Sequence, residues 1–170
     1  MARVLVILGS ASDRERVRPL LDVLARFGEP SDIRIASAHR NLEDVLAIVR
    51  EAEQSGVRVV IAAAGLAAHL PGVVAGQTVL PVIGLPLAVG PLHGVDALLS
   101  IAQMPPGVPV ATVGVNAGEN AAYLALHILA LEDPELAARL RSHRAARRDE
   151  IRALDRNLRR EVEAEPPGEG

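Results

Sequence analysis

The sequence predicts a doubly wound parallel α/β domain, a three-layer α/β/α sandwich carrying an extended C-terminal helix. Three observations carry that expectation. Short aliphatic runs recur along the chain at regular intervals. Apolar stripes at helix spacing fill the intervals between them. The 170 residues are 49% hydrophobic but only 1% aromatic, so Val, Leu, Ile and Ala must build the core. Continuous aliphatic runs of that kind suit parallel strands covered on both faces.

The elements follow in order. "RVLVIL" (3–8) reads as the first strand. Val17, Leu20, Leu21, Leu24 and Phe27 make the first helix stripe, and Gly28 marks its return. "DIRIAS" (32–37) is the second strand, followed by the stripe Leu42, Val45, Leu46 and Val49, then Gly56. "VRVVIAAA" (57–64) and "LPVIGLP" (80–86) are the third and fourth strands. A helix near 94–103 leads through Gly107 to "VPVATVGV" (108–115), and a last crossover helix lies near 120–131. Each run is expected to be buried. Residues 1–132 thus form a single catalytic α/β domain.

Residues 133–164 differ. Asp133-Pro134 opens a helix with Pro at its first position. The helix is charged nearly all round, and its apolar residues thin to Leu136, Leu140, Ile151, Leu154, Leu158 and Val162. It packs either on its own domain or on a neighbouring subunit. Residues 165–170, "EPPGEG", read as a disordered tail.

Composition excludes several classes. The net charge of -3 argues against a basic nucleic-acid surface, and the scarcity of aromatics leaves nothing on which bases could stack. With no cysteine, disulfides and thiolate chemistry are excluded. Charged residues and a turn arrive too early for a signal peptide, and no apolar run reaches the ~20 residues that span a bilayer. A cytoplasmic protein without membrane contact is the expectation.

Ligands of an open parallel sheet bind at the carboxyl ends of its strands. The residues following each strand are therefore the candidates. Gly9-Ser10-Ala11-Ser12-Asp13 follows the first. Its small residues and hydroxyls, set before a helix, can receive an anion, although Ser and Asp also cap helices without any ligand. It matches neither GxGxxG nor GxxxxGK[ST]. Ser37-Ala38-His39-Arg40 follows the second, with Asn41 placed to cap the next helix. An arginine fork suits phosphate, and histidine can act as both acid and base near neutral pH. Gly65-Leu66-Ala67-Ala68-His69-Leu70-Pro71-Gly72 follows the third, and its small residues let backbone lie against a ligand. The fourth strand gives way to an irregular stretch ending at His93-Gly94. His39 and His69 are equally compatible with loop histidines bonded to backbone. His93, His127 and His143 read as structural. Metal binding is not expected, because no HxH or HExxH spacing occurs and the loop histidines lack carboxylates at ligand spacing. No GxSxG elbow marks a hydrolase. The residues alone describe a domain that binds a phosphorylated small molecule and uses one histidine as acid and base.

Taken together, "GSASD", "SAHR", "AAHLPG" and "LLSIAQMPPGVPVATV" resemble the class I N5-carboxyaminoimidazole ribonucleotide mutases of de novo purine biosynthesis. The similarity runs in order over residues 3–131, and the charged helix is similar to that family's C-terminal one. The resemblance implies a flavodoxin-like sandwich, a homo-octamer with active sites near subunit contacts, and an isomerase that moves a carboxyl group from the exocyclic nitrogen to carbon 4 of the aminoimidazole ring. It implies a small-molecule ribonucleotide as substrate and no metal, ATP or organic cofactor. His39 corresponds to the catalytic histidine. Ser10, Ser12 and Asp13 correspond to the residues that hold phosphate and ribose, with Asp13 on the ribose hydroxyls. Ser37 and Arg40 correspond to phosphate or pocket contacts. Gly65, Ala67, Ala68, His69 and Leu70 correspond to the loop over the imidazole and the migrating CO2. The chain departs from the family's pattern at Ala11, where the family often has Asp, at Arg14, where it usually has Trp or another large apolar residue, at Asn41-Leu42, where it has Thr-Pro, and at Leu66, where it usually has Gly; "VGVNAGENAAY" is shorter than in many members. Two other readings fit the residues: a diverged paralogue acting on another phosphoribosyl heterocycle, and a nucleotide-binding module without turnover.

Overall fold

A computed structural model describes residues 2–164. Five strands form one parallel sheet in the order β2-β1-β3-β4-β5. They are β1 Val4–Leu8, β2 Ser31–Ile35, β3 Val59–Gly65, β4 Val82–Leu87 and β5 Ala111–Thr112. The helices are α1 Arg18–Arg26, α2 Leu42–Gln54, α3 Leu70–Ala75, α4 Val95–Ala102, α5 Gly118–Leu129 and α6 Pro134–Ala164. A one-turn 3-10 helix, Ala11–Asp13, lies between β1 and α1.

Successive strand residues point to opposite faces, and this divides the core in two. Val4, Val6 and Leu8 of β1, with Val59, Ile61, Ala63, Ile83, Leu85 and Leu87, pack against α1, α5 and the start of α6. Leu5 and Ile7, with Val60, Ala62, Ala64 and Val82, pack against α2, α3 and α4. Gly28, Gly56 and Gly107 all have positive φ, the left-handed geometry expected at helix returns.

Four expectations need correction. β2 is not buried. It lies at the sheet edge, and Ile33 and Ile35 are 44% and 53% exposed. β5 forms only two paired residues, Ala111 and Thr112, both matched to β4. The stripe of α2 is rotated, so that Ile48 is buried and Leu42 is exposed. The third crossover contains α3, a six-residue helix too short to show a period. The expected tail, 165–170, lies outside the described residues.

α6 starts as the Asp133-Pro134 pair predicts: Asp133 Oδ1 accepts from Leu136 N–H at 2.9 Å. That bond, with Arg3 3.0 Å away, holds the Asp133 carboxyl below its ordinary value. Arg3 also pairs with buried Glu29, so one guanidinium ties β1 to the start of β2 and the start of α6. Leu136 and Leu140 are buried, Tyr123 and His143 meet at 2.7 Å, and Arg144 reaches His127 at 3.3 Å. Beyond this point the helix runs free. Ile151, Leu154, Leu158 and Val162 are each more than 60% exposed. Among the described residues no helix is long and apolar enough to cross a membrane.

Candidate active site

Strand order reverses between β1 and β3, and a crevice opens there at the carboxyl ends of the strands. A cavity of about 490 Å³ occupies it. Every residue singled out for the site lines it: Ser10, Ser12 and Asp13 after β1; Ser37, His39 and Arg40 after β2; Gly65, Ala67, Ala68, His69 and Leu70 after β3. The stretch after β4 contributes Val89.

The first turn is built by its own hydroxyls. Ser10 Oγ accepts from Ser12 N–H at 3.4 Å and lies 2.9 Å from Ser12 Oγ. Asp13 closes the 3-10 turn and is 5% exposed. Burial pushes its carboxyl up from the ordinary value, against the opposing pull of Arg16, the Ser10 backbone and Arg40. The raised group costs stability wherever it is ionised in the unfolded chain. That cost fades as pH falls through the raised value to the ordinary one. Asp13→Asn is therefore expected to raise the melting temperature at neutral pH, with the gain vanishing below the ordinary carboxylate range. Calorimetry at the two pH values checks this. A pH-independent difference would assign the effect to something other than the charge.

The second turn is equally self-contained. Ser37 O accepts from Arg40 N–H and Asn41 N–H at 3.3 and 3.1 Å, and Ser37 Oγ accepts from His39 N–H at 3.4 Å. Asn41 precedes α2 but does not cap it as expected. Its Oδ1 turns back to accept from Ser37 N–H at 2.7 Å, and its Nδ2 donates to Asp44 at 2.7 Å. The asparagine thereby locks the turn that presents His39. Arg40 spans the first two turns, donating from Nη2 to Gly9 O at 3.0 Å and from Nε to Ser37 Oγ at 3.3 Å. Three of its five N–H groups stay available to a ligand.

The third turn brings in what spacing could not show. His69 immediately precedes α3 without a side-chain capping bond, and its Nδ1 lies 2.6 Å from His39 Nε2, the rings 4.8 Å apart and nearly perpendicular. A hydrogen bond at this distance requires one of the two nitrogens to carry a proton and the other to accept it. The outer nitrogens, His39 Nδ1 and His69 Nε2, can hold one proton or two without breaking the contact. The pair can thus take up or release one proton in place, which is what an acid/base step needs.

His93 is exposed at φ 49 and does not line the cavity, while His127 and His143 hold α5 to α6. Val89 was not foreseeable, since an aliphatic residue in an irregular stretch carries no chemical signal.

Residues 3–150 match the model of the AIR carboxylase family. The chain is 46% identical over 151 residues to the N5-carboxyaminoimidazole ribonucleotide mutase of Saccharolobus solfataricus, covering 89% of this chain and 96% of the relative. It is 46% identical over 158 residues to the enzyme of that name from Mycobacterium tuberculosis strain H37Rv, covering 93% and 91%. The crystal structure of Treponema denticola PurE superposes with a TM-score of 0.81 at 30% identity, covering 91% of this chain and 97% of that one.

Proposed function

This chain belongs to the AIR carboxylase family, and from that membership we propose that it is an N5-carboxyaminoimidazole ribonucleotide mutase of purine biosynthesis acting in the cytoplasm. The observation that carries the reading is the His39–His69 contact, set in a cavity that also holds a serine-rich turn and an arginine fork. Ser10, Ser12, Ser37 and Arg40 take the phosphate and its surroundings. Asp13 takes the ribose hydroxyls, which suits a carboxylate kept buried beside the cavity. Gly65, Ala67, Ala68, His69 and Leu70 form the surface over the imidazole and the CO2.

The chemistry balances with one proton. The N–C bond of the N-carboxylate breaks, CO2 leaves, and a proton goes to the nitrogen. CO2 then bonds to carbon 4, and the proton on carbon 4 goes to a base. His39 supplies the first and removes the second, so it ends as it began. The test is turnover: the purified chain should convert N5-carboxyaminoimidazole ribonucleotide to 4-carboxy-5-aminoimidazole ribonucleotide and restore growth of a purine auxotroph. Tight binding without conversion would sink the mutase and favour a binding module.

His39, Arg40 and His69 are exposed in a single chain, which fits a site covered further by a neighbour. The working form is a homo-octamer, with α6 as part of the contact. Its exposed residues Ile151, Leu154, Leu158 and Val162 recur every three to four positions and so share one face. Left in water, that face costs ~25 cal/mol per Å². A second copy, joined by closed symmetry, is the natural cover. Truncation after Ala146 is expected to lower the assembly state or its stability. Sedimentation checks it: a full chain that runs as a monomer at micromolar concentration would end the octamer, and an unchanged oligomer after truncation would remove α6 from the contact.

A further inference from the structure

A second cavity, of about 560 Å³, lies between α5 and α6 and shares no residue with the crevice at the strand ends. His143, Arg144 and Arg147 line it from one face of α6, and Tyr123 and His127 line it from α5. Arg26 reaches it from the last turn of α1. The chain has one Phe and one Tyr, and both are used at this junction. Tyr123 stacks on His143 with ring centroids 5.6 Å apart, and Phe27 stands edge-on to both rings. The walls are thus fixed by packing before any ligand arrives.

The charge of the cavity is one-sided. Three arginines face one carboxylate, Glu119, which sits in the first turn of α5 where it complements the helix dipole. Arg147 lies 3.2 Å from Glu150, but an exposed pair of this kind contributes little. Arg26 and Arg144 form no ion pair among the described residues. Arg144 instead donates from Nη2 to His127 Nε2 at 3.3 Å, so that nitrogen carries no proton. Burial, and then the arginine's charge, holds His127 below its ordinary value. Positive charge therefore gathers around a positioned arginine fork that one carboxylate does not balance.

We propose that this cavity is a second anion site, which takes a phosphate group on Arg26, Arg144 and Arg147. The inference stands apart from the mutase reading. An arginine fork matches phosphate oxygens two at a time, and a cleft lined by one sign of charge concentrates the opposite sign. The volume is in the range of small-molecule sites. It admits free phosphate, or the phosphate of an ester whose organic part lies on the Tyr123–His143 pair. Because three helices supply the cations, a bound phosphate ties α1 and α5 to α6. It does so where α6 leaves the domain, between buried Leu140 and Ile151, which is 63% exposed.

Amide hydrogen exchange of the full chain at constant ionic strength, with inorganic phosphate or phenyl phosphate, locates the site. Exchange is expected to slow in residues 119–127 and 140–147, whatever happens at the turns 9–13 and 37–41. The concentration that half-protects those helices should rise on the order of tenfold in Arg26→Gln and in Arg144→Gln. Arg26 is exposed, so its variant keeps the fold even if Arg144→Gln loosens the joint between α5 and α6. Arg159→Gln removes the same charge from a pair with Asp155 farther along α6 and should leave the protection unchanged. Stronger protection by phenyl phosphate assigns the site to an ester, and equal protection assigns it to free phosphate. Protection confined to the turns 9–13 and 37–41 overturns the proposal. An equal loss in Arg159→Gln overturns it too, because the effect would then be the diffuse charge of the helix.

Discussion

His39→Asn lowers the turnover of N5-carboxyaminoimidazole ribonucleotide by about 10²–10⁴, the usual contribution of a positioned acid/base group, while substrate affinity stays within about tenfold. The split follows from geometry. The polar groups assigned to phosphate and ribose, Ser10, Ser12, Asp13 and Arg40, make no hydrogen bond to the His39 ring. What the ring does contact is His69, at 2.6 Å. Asparagine keeps the turn, because the bonds that shape it run through Ser37, Asn41 and the His39 backbone N–H. It cannot accept and return a proton near neutral pH. Single-turnover kinetics beside equilibrium binding separates the two effects. A variant with near-normal rate would make His39 structural and move the chemistry to His69.

Arg40→Ala weakens substrate binding by about 1.5–3 kcal/mol, the range for hydrogen bonds to a charged group. It also abolishes competition by inorganic phosphate. Two of the arginine's N–H groups already hold Gly9 O and Ser37 Oγ, so the side chain is fixed before any ligand arrives. A fork held in that way loses little freedom on binding an anion. Arg40→Lys keeps the charge but not the fork and should recover only part of the affinity. Calorimetry with substrate and with phosphate reads both variants. Unchanged affinity in Arg40→Ala would place the phosphate elsewhere.

Much of this molecule was legible in local pattern. The aliphatic runs became β1 to β5, and the stripes became α1, α2, α4 and α5. Asp133-Pro134 opened α6, and the three turns that carry Ser10, His39 and His69 met around one cavity. Such features depend on residues within a turn or two of each other, or on the rule that parallel strands present their carboxyl ends to one edge.

What tertiary structure alone decided depended on partners distant in sequence. Which strand lies at the edge follows from pairing order, so the apolar run of β2 could not reveal that Ile33 and Ile35 face outward. β5 pairs with β4 over two residues only, and α3 is too brief for a period to register. Asn41 looked like a helix cap, yet the tight turn behind it offered Ser37 N–H at 2.7 Å. The His39–His69 contact joins residues thirty positions apart, and its proton sharing depends on 2.6 Å that no spacing encodes. The sequence by itself determined which chemical groups reach the crevice. Long-range packing, through Leu66 on Gly90 and Val89 on Gly65, decided how they are held there, because contacts between loops follow from the assembled sheet and not from the order of residues within either loop.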